Sequence, residues 1–245
     1  MRFLAFMLTI LFLSNAASAG PLDKLTYFSE EYPPYNMTQD GEKTGISIEL
    51  ISAIFKAADT NKSLADVKVV PWSRGYQKTL SQPNTVVFAT TRTEQRENKF
   101  KWVGPIADTS LAIIGPKDAL EPDKLTDLNN YRIATIRDDV AEQLLLEGGI
   151  STDAIHSTAK IGPIIRLLEK GRVDYWAYER NVASYVLKKK NLGDQYESKH
   201  TLSRSKLYFA FNPDTDPDVI DAFETAFEKV EASGKHQEIL DKYLN

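Results

Sequence analysis

Short apolar runs alternate with stretches whose apolar residues recur every three or four positions, from residue 25 onward. The run at 25–28 predicts a strand, and the polar, Pro-rich loop SEEYPPYNMTQDGEKTG follows it. Leu50, Ile51, Ile54, Phe55 and Ala58 recur at helical spacing and predict a helix over 46–58. VKVVP then reads as a strand, WSRGYQKTLS as a short helix and TVVFAT as another strand, a β-α-β-α-β unit. A second series begins after Pro116. It has RIATI as a strand, helices over 138–147 and 161–170, VDYWAY as a strand and a helix over 179–190. KLYFAFN supplies one more strand, and helical patterns over 218–231 and 236–243 end the chain.

This alternation predicts an α/β fold with largely parallel sheets. Two β-α series joined by the extended runs TSLAIIGP and KLYFAFN predict two lobes linked by two antiparallel crossovers, with the C-terminal helices packing back on the first lobe. The boundaries that follow are 20–109 for the first part of lobe 1, 110–207 for lobe 2 and 208–245 for the return to lobe 1. Ligands of open α/β sheets sit beyond the carboxyl ends of strands, and pockets favour domain interfaces, so a cleft between the lobes is the expected site.

The leading segment changes the setting. Met1 and Arg2 precede an apolar run over 3–13 and a small-residue stretch over 14–19 that ends in Ala17-Ser18-Ala19. This predicts a secretory signal peptide over 1–19 with Gly20 as the first mature residue. The apolar run is too short to span a bilayer. The chain has no cysteine, which excludes a disulfide framework, a thiol nucleophile and a lipid on an N-terminal cysteine. An exported protein with these properties fits a bacterial periplasm, as a soluble protein and not a lipoprotein.

The 245 residues carry 30 basic and 34 acidic side chains. Only Arg2 falls within 1–19, so the remainder carries a net charge of about −5. That balance favours neither nucleic acid nor a membrane surface as partner. His156, His200 and His236 are scattered without metal-ligand spacing, and there is no Gly-rich phosphate loop or nucleophile elbow. No cofactor and no metal are expected.

YPPYNMTQDGEKTGISIELISAIF, RTEQR, FKWVGPI and LEKGRVDYWAYERNVASYVL, in this order, resemble the pattern of solute-binding protein family 3, the periplasmic receptors of amino-acid ABC importers. The similarity runs over residues 25–244. It implies the two-lobed type II periplasmic binding fold, closing on a small solute and presenting the closed form to an inner-membrane permease. A monomeric receptor is the expectation.

The resemblance also implies site residues. Thr93-Glu94-Gln95-Arg96 matches the segment in which an arginine, with a hydroxyl residue just before the segment, grips the α-carboxylate of an amino acid; Thr91 takes the hydroxyl place. A planar guanidinium suits a carboxylate because it forms two parallel charge-assisted hydrogen bonds. The alternative for Arg96 is an ion pair with Glu97 or another surface carboxylate, and Arg92 and Glu94 read as solvated neighbours. Tyr35 matches the aromatic that lies against the solute, Tyr32 being a weaker candidate; the alternative for Tyr35 is a residue that pins a long loop. Trp72 and Arg74 in PWSRGYQ are candidates for the cleft wall, but two residues apart they do not share a helix face. Trp72 as a plain core residue is the competing reading.

The second lobe departs from the amino-acid pattern. Relatives carry a glycine and then Thr or Ser after the RIATI strand, whereas this chain has Arg137-Asp138-Asp139. Asp138 and Asp139 are ordinary helix caps on one reading; either of them, pointing inward, would repel a carboxylate and attract a cation. Glu179 aligns with the family's ammonium-binding Asp, with a cap for the following helix as its alternative. Strand alternation puts Tyr178 on the face opposite Glu179, so one of the two is expected to meet the solute.

The function implied is a periplasmic receptor for a small polar solute, an amino acid or related amine, delivered to an ABC importer. The alternatives are a sensory receptor for a membrane kinase or chemoreceptor, and a cyclohexadienyl dehydratase-like enzyme, for which Glu179 is the one acid to name. Binding without catalysis is the expectation.

Overall fold

The computed structural model describes residues 20–244, so the expected signal segment over 1–19 lies outside the described residues. The chain runs β1 (Thr26–Ser29), β2 (Met37–Gln39), β3 (Glu42–Thr44), α1 (Ile46–Ala57), β4 (Val67–Val69), α2 (Trp72–Ser81), β5 (Thr85–Thr91), α3 (Glu94–Glu97) and β6 (Lys101–Pro116). It continues with β7 (Ile133–Ile136), α4 (Val140–Glu147), β8 (Ile155–Thr158), α5 (Ile161–Glu169), β9 (Tyr175–Glu179), α6 (Arg180–Lys189), β10 (Tyr196–Phe211), α7 (Pro217–Ala232) and α8 (Lys235–Leu244).

Eight strands form one continuous sheet in the order β4-β1-β5-β10-β6-β9-β7-β8. Its two ends are parallel, β1 pairing with β4 and β5, and β7 with β8 and β9. The middle is an antiparallel ribbon of β6 and β10, each 16 residues long. The ribbon serves both halves, since β5 pairs with β10 from Leu207 onward and β9 pairs with β6 over Leu111–Ile114. This is a two-lobed α/β architecture joined by two long strands.

Burial follows this topology. All seven residues of β5 are buried because it lies inside the sheet with helices over its faces. Along β9 the side chains alternate, Trp176 and Tyr178 entering the larger core and Tyr175 and Ala177 a second one under α4. In α7, Val219, Ile220, Phe223, Ala226, Phe227 and Val230 are buried at helical spacing. Phe223 meets Phe209 and Phe211 of β10 edge-on at 5.0 Å each, contacts worth about 0.5–1.5 kcal/mol apiece beyond area burial. The C-terminal helix is tied down by Tyr243, whose hydroxyl lies 2.8 Å from that of Thr44, and by His236 Nε2 at 2.7 Å from the Ile106 carbonyl.

Three elements differ from the sequence expectation. The Pro-rich loop contains the hairpin β2–β3, turning at Asp40 and Gly41 with φ of 53° and 84°, the positive dihedrals an Asp-Gly turn allows. β8 is an added strand whose residues, Ile-His-Ser-Thr, are too polar to read as one. β6 begins at Lys101, before the run TSLAIIGP, and continues through Gly104 and Pro105 with a register shift in its pairing to β10 between Val103 and Ala107.

Candidate functional site

The loop between β1 and β2 is held over the start of α1. Ile46 and Ser47 donate their amides to the carbonyls of Pro34 and Tyr35 at 3.1 and 2.8 Å, occupying two of the donors a helix start leaves open. Gly45, at φ 110°, makes this approach possible, because a Cβ there would sit 2.6–2.7 Å from the same two carbonyl oxygens. Tyr35 is thereby fully buried and stacked on Tyr32, ring centroids 5.4 Å apart. Its hydroxyl lies 3.3 Å from the Asp108 carbonyl and 3.5 Å from Glu179 Oε1, and it accepts from Asn181 Nδ2 at 3.1 Å.

Trp72 opens α2 immediately after Pro71 and is buried. Its Nε1 donates to the carbonyl oxygen of Asp138 at 3.0 Å. Arg96, on the short α3 after β5, is 1% exposed. Its Nη1 donates to the Thr91 carbonyl at 3.4 Å and its Nη2 to that of Asp138 at 3.2 Å, while Nε has no partner. The guanidinium carbon lies 5.4 Å from the Trp72 ring and 5.0 Å from the Tyr76 ring, within cation–π range. Thr91 is buried and meets Arg96 through its carbonyl.

Glu97 pairs not with Arg96 but with Arg92, at 2.5 and 2.7 Å. Arg92 is a partly solvent-exposed neighbour, as expected, but one that is ion-paired with Glu97 and whose guanidinium lies over the rings of Trp102 and Tyr208. Among the described residues Arg96 makes no ion pair.

On the opposite side of the cleft, Asp138 has a positive φ of 60°, and that conformation accompanies a carbonyl shared by Trp72 and Arg96. Asp139 caps α4, its Oδ1 accepting from the Ala141 amide at 2.9 Å. It is also buried and senses the charge of Arg96. Burial pushes its carboxyl above the usual range, against the opposing pull of the cap amide and Arg96. The two readings of Asp139 are thus compatible: it caps the helix and faces the buried cluster.

Glu179 is also dual. Its Oε2 accepts from the Val182 amide at 2.7 Å and caps α6, and its Oε1 lies 3.4 Å from the Ser110 amide. The side chain is fully buried, and burial pushes its carboxyl up to about 7 despite those amides. Tyr178 keeps the alternation of β9, and its ring meets Tyr32 edge-on at 5.6 Å. Glu179, the last residue of β9, lies within reach of the Tyr35 hydroxyl, so both side chains meet the loop that follows β1.

Glu30 is missing from the sequence-based candidates. It follows β1 directly, at the carboxyl end of a parallel strand where such sheets place ligands. Its carboxyl is raised well above the usual range, first by burial and next by Asp139, with Arg96 opposing. Tyr178, with an unpartnered hydroxyl, lies among Glu30, Asp139 and Glu179.

Tyr35, Trp72, Thr91, Arg96, Asp139 and Glu179 are thus brought together, with Tyr32, Tyr178 and Glu30 added. Arg74 is not: it is exposed and lines a rim recess with Lys78, Arg137 and Asp138. A cavity of about 330 Å³ opens from Glu30 between Val70 and Pro71 on one side and Ile136 and Ile161 on the other. A larger groove of about 640 Å³ runs along α6 and contains none of the clustered residues. Among the described residues no group of three or more His, Asp or Glu side chains is placed to hold a metal. The cluster offers one guanidinium for an anion and three carboxyls for cations.

The family model of bacterial extracellular solute-binding proteins, family 3, matches residues 26–245. No curated protein matches the chain. Among solved structures, a histidine kinase sensor domain with similarity to periplasmic binding proteins superposes with a TM-score of 0.79 at 20% identity, covering 90% of this chain and 96% of its own. An ancestral arginine-binding protein bound to arginine gives 0.76 at 20% identity, covering 91% and 99%. The arginine-, lysine-, histidine-binding protein ArtJ from the thermophilic bacterium Geobacillus stearothermophilus gives 0.76 at 17% identity, covering 90% and 95%. At these identities the likeness is one of fold. Among the described residues no helix is long and apolar enough to cross a membrane.

Proposed function

The chain belongs to family 3 of the bacterial extracellular solute-binding proteins, and on that premise we propose that it captures a small polar solute of the amino-acid type between its two lobes. The observation that carries this reading is Arg96: a guanidinium 1% exposed, without an ion pair among the described residues and with an unpartnered Nε. Arg96 would hold the α-carboxylate and Glu179 the α-ammonium. Tyr35, Tyr32 and Trp72 supply apolar walls, and the arginine-binding fold relatives support the class of solute.

The working motion is lobe closure. Residues 20–109 and 208–245 rotate against 110–207 about β6 and β10, near residues 108–112 and 206–210, and solute contacts from both halves favour the closed form. A solute shifts that balance only through its preference for the closed form. Export to the periplasm, with residues 1–19 as signal, and delivery to an ABC permease complete the reading. Titration calorimetry with amino acids tests it: binding is expected, and its loss in Arg96→Ala.

The sensor-domain relative favours a second reading, in which the loaded protein contacts a membrane kinase. Stimulation of a permease ATPase by the loaded protein separates the two. Glu179 as the acid of an enzyme is the weaker reading, because both its oxygens already face backbone amides.

A further inference from the structure

An α-amino acid with a neutral side chain would need only Arg96 and Glu179. The cluster holds two further carboxyls, Glu30 and Asp139, and among the described residues neither forms an ion pair. They interact with each other and with Arg96. Asp139 and Glu179 are buried and Glu30 is half-buried, so a single guanidinium faces three carboxyls, and any of them that ionises without a partner is costly. Two donors also point to a missing partner: Arg96 Nε and Tyr178 Oη are unpartnered on residues each 1% exposed.

Space for a second charged group lies beside Glu30. The cavity that opens there is walled by Val70, Pro71, Ile136 and Ile161, apolar surfaces suited to a methylene stem. Glu30 and Glu31 line it with their carboxyl groups, and the cation at its mouth, Lys160, is exposed.

We infer that the cleft is built for a solute with one carboxylate and two cationic groups, a diamino or guanidino acid, whose second cation is read by Glu30 and Asp139. This rests on the reading that an amino-acid-type solute is bound. Arg96 takes the carboxylate, Glu179 the α-ammonium, and the distal ammonium or guanidinium lies between Glu30 and Asp139 with its stem toward the cavity.

The test is titration calorimetry of the whole protein with L-lysine, L-ornithine and L-arginine against L-norleucine, L-glutamine and cadaverine. The best dibasic acid should bind at least about 30-fold more tightly than norleucine or glutamine, the scale of one close charge pair. Glu30→Gln and Asp139→Asn should each shrink that ratio about fivefold or more. Asn caps helices as well as Asp, so Asp139→Asn keeps α4 intact. Equal affinity for norleucine or glutamine, or a ratio unchanged in both variants, would overturn the inference while leaving amino-acid binding in place. Cadaverine binding as tightly as lysine would overturn the carboxylate assignment. Silence from every compound would overturn the underlying reading as well.

Discussion

Arg96 Nη2 donates to the backbone carbonyl of Asp138 at 3.2 Å, linking the segment after β5 to the segment after β7 across the cleft. Trp72 uses the same carbonyl. The arginine assigned to the solute therefore also bridges the two halves, so recognition and closure share one side chain.

Arg96→Ala removes both contributions. The expected loss is about 2–5 kcal/mol in solute affinity, as for truncating one partner of a buried charged pair, measured by titration calorimetry. Arg96→Lys keeps the charge but loses the planar fork and should recover only part of it.

Asp138 tests the backbone side of the same link. At φ 60° a residue with a Cβ is strained, so Asp138→Gly should be neutral or stabilising by up to about 1 kcal/mol. Asp138→Val, branched at Cβ, should cost about 1–2 kcal/mol. Urea unfolding of both variants checks the difference.

Gly45→Ala places a Cβ against the carbonyls of Pro34 and Tyr35. The strained φ and the clash should together cost about 2 kcal/mol or more, and the displaced loop should weaken solute binding through Tyr35. Thermal unfolding and calorimetry on the same sample read the two effects.

The buried carboxyls set a pH dependence. Glu179 has its folded pKa raised to about 7 from the ordinary 4.5, so below 4.5 both folded and unfolded chains hold the proton. Between about 4.5 and 7 the unfolded chain releases it while the folded one keeps it, so stability is lost as pH rises through that window, by about 3 kcal/mol in all. Glu30 and Asp139, raised in the same direction, add to the fall. Urea unfolding of the unliganded protein from pH 5 to 8 should show the decline, and Glu179→Gln should flatten it.

Much of this site is legible in the chain. Arg96, Thr91, Tyr35, Trp72 and Glu179 stand at recognisable places in ordered motifs, and Asp139 stands out because it replaces a hydroxyl residue. What escapes depends on geometry that composition does not carry. Asp138 matters through a carbonyl oriented by a left-handed φ, and no side-chain property signals that. Glu30 hides beside Glu31 in a polar loop, although its position just after an apolar strand was a usable signal. The long ribbon strands escape because only the runs TSLAIIGP and KLYFAFN read as extended, yet pairing of β6 with β10 resumes on both sides of Gly104 and Pro105. The Asp-Gly turn of the β2–β3 hairpin, by contrast, was open to reading from its two residues.

The most direct test of amino-acid capture in the cleft is the melting temperature of the protein with a panel of amino acids, run beside Arg96→Ala. A solute that binds only the folded state must raise the melting temperature with its concentration. A concentration-dependent rise is expected with at least one amino acid in the wild type, and little or none in Arg96→Ala. No rise with any amino acid, or an equal rise in the variant, would contradict it.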